Sequence, residues 1–203
     1  MEGRRIVLSL GVDLAGSSKR KTGIALMDEG LNCNYMTVYS DQDIINVVKD
    51  KRPDVVVVDA PLSIPKGRSD IEDRNGPHFR KCDIELRKMG IKFFPVTLGP
   101  MRMLTKRGIK LSQDLKNLGF AVIESYPGGV QDILSIPRKK DLKALIMGLK
   151  KLGIKGCSES MNNHEADAAT IAYLGILYLK DLVMPLGDPD EGLLYLPKKL
   201  TQT

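Results

Sequence analysis

Apolar positions along the chain alternate between short strand-like runs and longer helical spacings. Residues 6–26 read I-V-L-S-L-G-V-D-L-A-G-S-S-K-R-K-T-G-I-A-L. Two apolar runs flank a small, polar, basic turn, which predicts a β-hairpin. Strand one covers 6–14, the turn 16–21 and strand two 22–27. Residues 31–39 give a third strand, with Asn32, Asn34 and Thr37 interrupting a rough alternation. Three sequential strands with short turns make an antiparallel meander. Ser40 or Asp41 caps a helix that runs to about residue 51, with Ile44, Ile45, Val47 and Val48 on one face. Pro53 blocks its continuation. Residues 54–59, D-V-V-V-V-D, suit a central strand buried on both faces. It is reached by a helical crossover, which predicts that it lies parallel to strand one.

The second half continues the pattern. Residues 61–76 are loop-like, and their P-K-G-R-S-D portion reads as mobile. Phe79, Cys82, Leu86 and Met89 predict a helix over 78–89, ended by Gly90. Gly99-Pro100 opens another helical stretch with a stripe of Met101, Leu104, Leu111, Leu115 and Leu118. Gly108 leaves one continuous helix or two short ones open. Residues 120–125 are a fifth strand, 126–129 a turn, 130–134 a short helical turn and 141–152 an amphipathic helix. Asn162 or Asn163 caps a last helix over 165 to about 182. After residue 183 the chain is Pro- and Gly-rich, and 192–196 can add an edge strand. The expected architecture is one α/β domain over 1–203, with a mixed five-stranded sheet. Residues 62–119 form a helical insertion, which can shape a substrate channel or an interaction surface. Residues 183–203 form a C-terminal tail.

Composition narrows the class. With 203 residues, 42% of them hydrophobic, a normal core is expected and disorder is not. No apolar stretch reaches the ~20 residues that span a bilayer, and residues 2–5 lead into a strand rather than a signal peptide, so no membrane partner is expected. Three widely spaced cysteines, Cys33, Cys82 and Cys157, form no zinc pattern and suggest a reduced, cytoplasmic setting. The net charge of +6 permits an acidic partner such as nucleic acid. It equally describes a Lys-rich surface.

The candidate chemistry lies in the acids. Asp13 sits between Val12 and Leu14 in a strand that should be buried. A carboxylate there is costly unless paired or coordinated. It is either a strand-end cap of its own turn or a metal ligand. Asp59 ends strand four, and sites in open α/β sheets form beyond the carboxyl ends of strands. Two acids there repel unless a cation lies between them or one is protonated, which ranks a divalent metal ahead of coincidence. Glu124 ends strand five. His164, Glu165 and Asp167 fall in the first turn of the last helix, where acids also oppose the helix dipole. Arg102, Lys106 and Lys110 recur every fourth residue away from the leucine stripe. That is either a solvated face or a row of phosphate contacts.

This order of strands and acids resembles the ribonuclease H-like fold, through the motifs G-V-D-L-A, V-V-D-A-P and H-E-A-D-A-A. The chain is more similar still to a family of uncharacterised proteins described as predicted nucleases of that fold (domain-of-unknown-function family 429). That similarity extends to D-A-P-L-S-I-P, to C-D-I-E-L-R-K-M-G-I with F-P-V-T-L-G-P-M-R, and to E-S-Y-P-G-G, over most of residues 8–180. The resemblance implies a nuclease that hydrolyses phosphodiester bonds with two Mg²⁺ or Mn²⁺ ions. Asp13, Asp59 and Asp167 carry over as catalytic metal ligands, with Glu124 as a fourth acid. Oxygen ligands without Cys or His suit such ions, and a pair of ions would stabilise both the attacking and the leaving oxygen. Arg102 and Lys106 are expected to hold substrate phosphate, with Lys19 and Arg20 as second candidates. His164 is either a proton shuttle or a helix-start residue with no such role. The implied partner is nucleic acid, whether RNA, DNA or a branched junction. Oligomeric state is open, a dimer being one option.

Two other classes compete. Actin-like and sugar-kinase ATPases share this fold core and open with a similar strand, Asp and small-residue turn, but need two such domains; one opening hairpin is visible here. A non-catalytic nucleic-acid-binding protein is the other, against which the intact acids argue. A P-loop is excluded because Ser17-Ser18 follows Gly16 where Lys-Ser/Thr is required, and G-x-G-x-x-G is absent.

Overall fold

A computed structural model describes residues 6–73 and 75–199. The chain begins with the meander: β1 (Leu8–Asp13), β2 (Thr22–Asp28) and β3 (Cys33–Val38), antiparallel throughout. Helix α1 (Asp41–Lys51) follows. Its N-cap Ser40 accepts from the Asp43 nitrogen at 3.1 Å, while the Asp43 carboxylate accepts from the Ser40 nitrogen at 2.9 Å. This reciprocal capping satisfies two otherwise orphaned donors. The crossover delivers β4 (Val55–Asp59) parallel to β1, and β5 (Val122–Ser125) parallel to β4.

Between those strands lie α2 (Lys81–Lys88) and α3 (Gly99–Asn117). Helix α3 runs unbroken through Gly108, and α2 starts at Lys81 rather than 78, because Asp83 turns back to accept from the Arg80 nitrogen at 2.9 Å. The preceding loop is tied to itself rather than loose. Buried Arg68 donates to the carbonyls of Ile71, Asp73, Gly76 and Pro77. After β5 come α4 (Pro127–Ile133), α5 (Leu142–Lys151) and α6 (Asn163–Leu179). Residues 126–129, expected as a turn, instead begin α4, with Pro127 at the first helical position, where its missing N–H costs nothing.

The fold class is α/β with a mixed sheet, as the pattern predicts, but among the described residues the sheet has seven strands, not five, in the order β3-β2-β1-β4-β5-β7-β6. The two additional strands, β6 (Val183–Asp188) and β7 (Gly192–Pro197), form a hairpin whose second arm pairs parallel with β5. The Pro- and Gly-rich composition hid β6, whereas 192–196, expected as an edge strand, is the core of β7 and lies between β5 and β6. Pro185 is exposed on the outermost strand, where a missing donor is tolerated. Leu186, Leu194 and Leu196 are buried in a core shared with Cys82 and Leu86 of α2. Among the described residues no helix is long and apolar enough to cross a membrane.

Strand parity assigns the faces. Leu10, Val12, Val56 and Val58 pack with Ile44 and Val48 of α1 and Leu111 and Leu115 of α3. The alternate positions, including Gly11, Val57 and the two strand-end aspartates, turn to the face covered by α6. That helix is buried almost all round, with Ala166, Ala168, Ala169 and Ala172 against the sheet. It lies unusually close. A Cβ on Gly11 would overlap the Ala168 carbonyl oxygen and come within 2.7 Å of the Ala172 nitrogen, and one on Gly23 would overlap the His164 carbonyl. The obstructing atoms are helix backbone, so a side chain at either position moves the whole helix. Gly11→Ala is therefore expected to destabilise by at least roughly 1–3 kcal/mol, the usual cost of overpacking. Chemical denaturation would measure this, and an unchanged midpoint would mean the helix is not held at this spacing.

Candidate active site

Asp13 and Asp59 end adjacent parallel strands and are paired in register, Asp13 opposite Asp59. Side chains at paired positions share a face, so both carboxylates meet the N-terminal part of α6. The start of that helix is pinned. Asn162 caps it by accepting from the nitrogens of His164 and Glu165, at 2.9 and 3.0 Å. The Glu165 carboxylate accepts from the Asn162 nitrogen and from the Thr37 hydroxyl of β3, each at 2.9 Å. One consequence is that Asp167 is carried onto the strand ends and buried. A second is that His164 Nδ1 lies 2.7 Å from Asp13 Oδ2.

The cluster is rich in negative charge and poor in solvent. Asp59 keeps part of its surface open, yet burial, then Asp13, then Asp167 push its carboxyl well above the usual range. Burial also raises Asp167. Lys139 opposes that shift, with its ammonium 2.6 Å from Asp167 Oδ2, and Gln131 donates to Oδ1 at 2.9 Å. Burial works against the charge on Lys139 itself. Asp167, Asp13 and Asp59 outweigh it and hold its proton above the ordinary lysine range. Asp13, Asp59, Lys139 and His164 line a cavity of about 360 Å³ together with Gly16, Arg20 and an apolar wall that includes Leu104 and Phe93, with Asp167 buried behind Lys139.

Glu124 reaches the same cavity from the other face. Its register partner is Val58, one residue out of phase with Asp59. Both its oxygens are held by buried Arg80, at 2.7 Å each, and Oε2 also accepts from the Leu62 nitrogen at 2.7 Å. Arg80 is held in turn by Asp83 at 3.0 Å. Of the expected phosphate contacts, Arg20 lines the cavity and Lys19 is exposed on the same turn. Arg102 and Lys106 lie elsewhere on α3, both facing Glu72 at 3.7 and 2.9 Å.

Three residues that hold the candidate site together escape sequence reasoning. Lys139 is one of three consecutive basic residues, and nothing in that run distinguishes it. Arg80 carries a signal in its spacing to Asp83, three residues on at a helix start. Arg107 is one position from the basic stripe. It is buried and binds the carbonyls of Ala15 and Tyr39 at 2.6 and 2.7 Å and Asp41 at 2.7 Å, fixing the turn that follows Asp13.

The protein is of the α/β class with a mixed sheet, and its acids converge at the carboxyl ends of the central parallel strands, where ligand sites of open α/β sheets form. Within that class, the chain belongs to the family described as Protein of unknown function (DUF429), whose model matches residues 11–134. No curated protein matches the sequence at a significant level. Among solved structures it is similar to one titled Thermus thermophilus RuvC structure, at 13% identity and a TM-score of 0.49, over 86% of this chain and 97% of that one.

The raised Asp59 pKa has a stability consequence. The folded chain holds that proton more tightly than the unfolded chain, so this group's contribution is full at low pH and is lost as pH rises through the folded value. Asp59→Asn is expected to raise the melting temperature of the metal-free protein at pH 7, with the gain shrinking as pH falls and the wild-type carboxyl protonates. Thermal melts in a chelator across pH would check this. A loss of stability at pH 7 would show that Asp59 is held as an anion by a partner.

Proposed function

We propose that this protein is a metal-dependent nuclease that hydrolyses phosphodiester bonds at the Asp13–Asp59–Asp167 cluster. The observation that carries the reading is the register pairing of Asp13 with Asp59 beneath Asp167, three carboxylates from three elements at one edge of the sheet. The donor chemistry fits Mg²⁺ or Mn²⁺, because it is hard carboxylate oxygen with excess negative charge. Among the described residues no three His, Cys, Asp or Glu side chains stand ready-placed around one ion. Lys139 and Gln131 hold Asp167, and His164 holds one oxygen of Asp13. Ion binding would therefore displace Lys139 and reorient these carboxylates.

In this reading, bound divalent cations supply Lewis-acid stabilisation of charge on the phosphate, in the two-ion form when both positions fill. The chain's own residues do the rest. Asp13 and Asp59, each the last residue of a strand, are the most rigidly placed candidate ligands, so rigidity does not single out Asp13, and Asp167 would join them from α6. His164 fixes the orientation of Asp13 through Nδ1 and has its second ring nitrogen to hold a proton for the leaving group. Arg20 meets substrate phosphate at the cavity. Lys139, released from Asp167, adds positive charge where the phosphate develops negative charge. Glu124 is a positioning residue that anchors the loop after β4 directly, by accepting from the Leu62 nitrogen, and the start of α2 through Arg80.

Two experiments test this. Asp13→Asn should remain folded and lose Mn²⁺-dependent cleavage of labelled oligonucleotides by more than the ~10–100-fold typical of losing an outer-shell partner. Retained cleavage would remove Asp13 from the site. Lys139→Ala should lower the metal-free melting temperature, and Mn²⁺ should then raise it by more than in wild type, because the ion no longer competes with an ammonium. An equal or smaller Mn²⁺ shift would place the ion away from Asp167.

A further inference from the structure

The segment 92–95 separates the acid-lined cavity from a second one, of about 640 Å³, and Phe93, Phe94 and Tyr126 line both. The second cavity collects aromatic rings. Phe79, Phe93 and Phe94 are three of the chain's four phenylalanines, and there is no tryptophan. Phe79 and Phe93 meet edge to face, with centroids 6.2 Å apart at 86°. Phe94 packs into neither core and is 68% exposed, the most exposed large apolar side chain among the described residues. A ring left in water between two cavities is costly unless something covers it.

The rest of the lining indicates what covers it. No acidic residue lines this second cavity, whereas Arg87, Lys92 and Arg138 do. Arg138 is already engaged by Asp132, at 2.8 and 2.5 Å, and by the Tyr126 hydroxyl at 3.1 Å. Arg87 lies over the Phe79 ring at 4.1 Å from its centroid. Arg87 and Lys92 make no ion pair among the described residues. A groove of flat rings edged by unpaired cations matches a ligand with flat π-faces and regularly spaced negative charges. Unpaired nucleic acid has both, whereas an acidic peptide has the charge without the rings and a paired duplex keeps its bases stacked inside.

We propose that this groove is a base-stacking subsite for single-stranded nucleic acid, adjoining the acid-lined site. A base rests on Phe94, the backbone runs past Arg87 and Lys92, and the next phosphate enters the cavity of Asp13 and Asp59. This rests on the nuclease reading and adds its substrate class, an unpaired rather than a duplex strand. Exposed Phe94 and Lys92 can be changed without touching a core.

The test measures binding apart from cleavage. Short labelled DNA and RNA oligonucleotides, single-stranded and duplex, are titrated with the full chain in a chelator, and single strands carrying 2-aminopurine report stacking. Single strands should bind more tightly than duplex and their 2-aminopurine emission should be quenched. Phe94→Ala should weaken single-strand binding roughly 5- to 100-fold and abolish the quenching. Arg87→Ala with Lys92→Ala should lower the salt slope by roughly 0.7 for each cation removed. Duplex binding as tight as single-strand binding, or no effect of Phe94→Ala on affinity and quenching, would overturn the subsite. The two readings fail separately. Phe94-dependent stacking without Mn²⁺-dependent cleavage supports the groove and overturns the nuclease. Cleavage with binding indifferent to Phe94 overturns the groove alone.

Discussion

The close docking of α6 on β1 and β2 is the constraint on which the candidate site depends. Glycine at positions 11 and 23 lets helix backbone lie where any side chain would intrude, and alanines on the helix complete the fit. The gain is positional. A helix held at this depth, with its first turn hydrogen-bonded to Thr37, delivers His164 to Asp13 and Asp167 to the strand ends. A bulkier interface would leave Asp13 and Asp59 paired in the sheet but carry His164 and Asp167 away from them.

That geometry sets the electrostatics. Three buried or half-buried carboxylates share little solvent, so burial with Asp13 and Asp167 raises the cost of ionising Asp59, and burial with Asp13 that of Asp167. Lys139 offsets part of this from a loop rather than from the sheet or helix. A charge on a loop can move as the site fills, whereas the carboxylates stand on rigid elements. The second ionic network, Arg80 with Glu124 and Asp83, is buried and shares one guanidinium between two carboxylates. Breaking such a pair leaves an uncompensated buried charge, which is strongly destabilising. It therefore reads as framework, holding the loop after β4 and the start of α2 to the sheet.

Much of this is legible in the sequence because local signals and burial agree. The valine run of β4, the hairpin of β1 and β2 and the Ser40 and Asn162 caps appear where their residue patterns put them, and Leu111 and Leu115 of the α3 stripe are buried, although Leu118 is exposed past the helix end. The hairpin of β6 and β7 is not legible as two sheet strands, because Pro185, Gly187 and Gly192 mark a loop until β5 supplies a partner for β7. At the site, the strand-end aspartates are visible as costly positions. His164 is visible as a candidate, but Lys139 and Gln131 are not, because they reach Asp167 through tertiary packing that spacing does not encode. The parity of Glu124 is a register fact, fixed by its pairing with Val58 and invisible in a strand read alone. Phe94 is similarly unmarked, since its exposure distinguishes it and exposure is not written in sequence.

The most direct measurement is a crystal structure of the full chain soaked in Mn²⁺, with the ion located by its anomalous scattering. The account predicts density among Asp13, Asp59 and Asp167, with the Lys139 ammonium moved off Asp167 and α6 still seated on Gly11 and Gly23. Mn²⁺ bound at Glu124 and Asp83, or Asp13 and Asp59 bare while ions sit elsewhere on the protein, would contradict it.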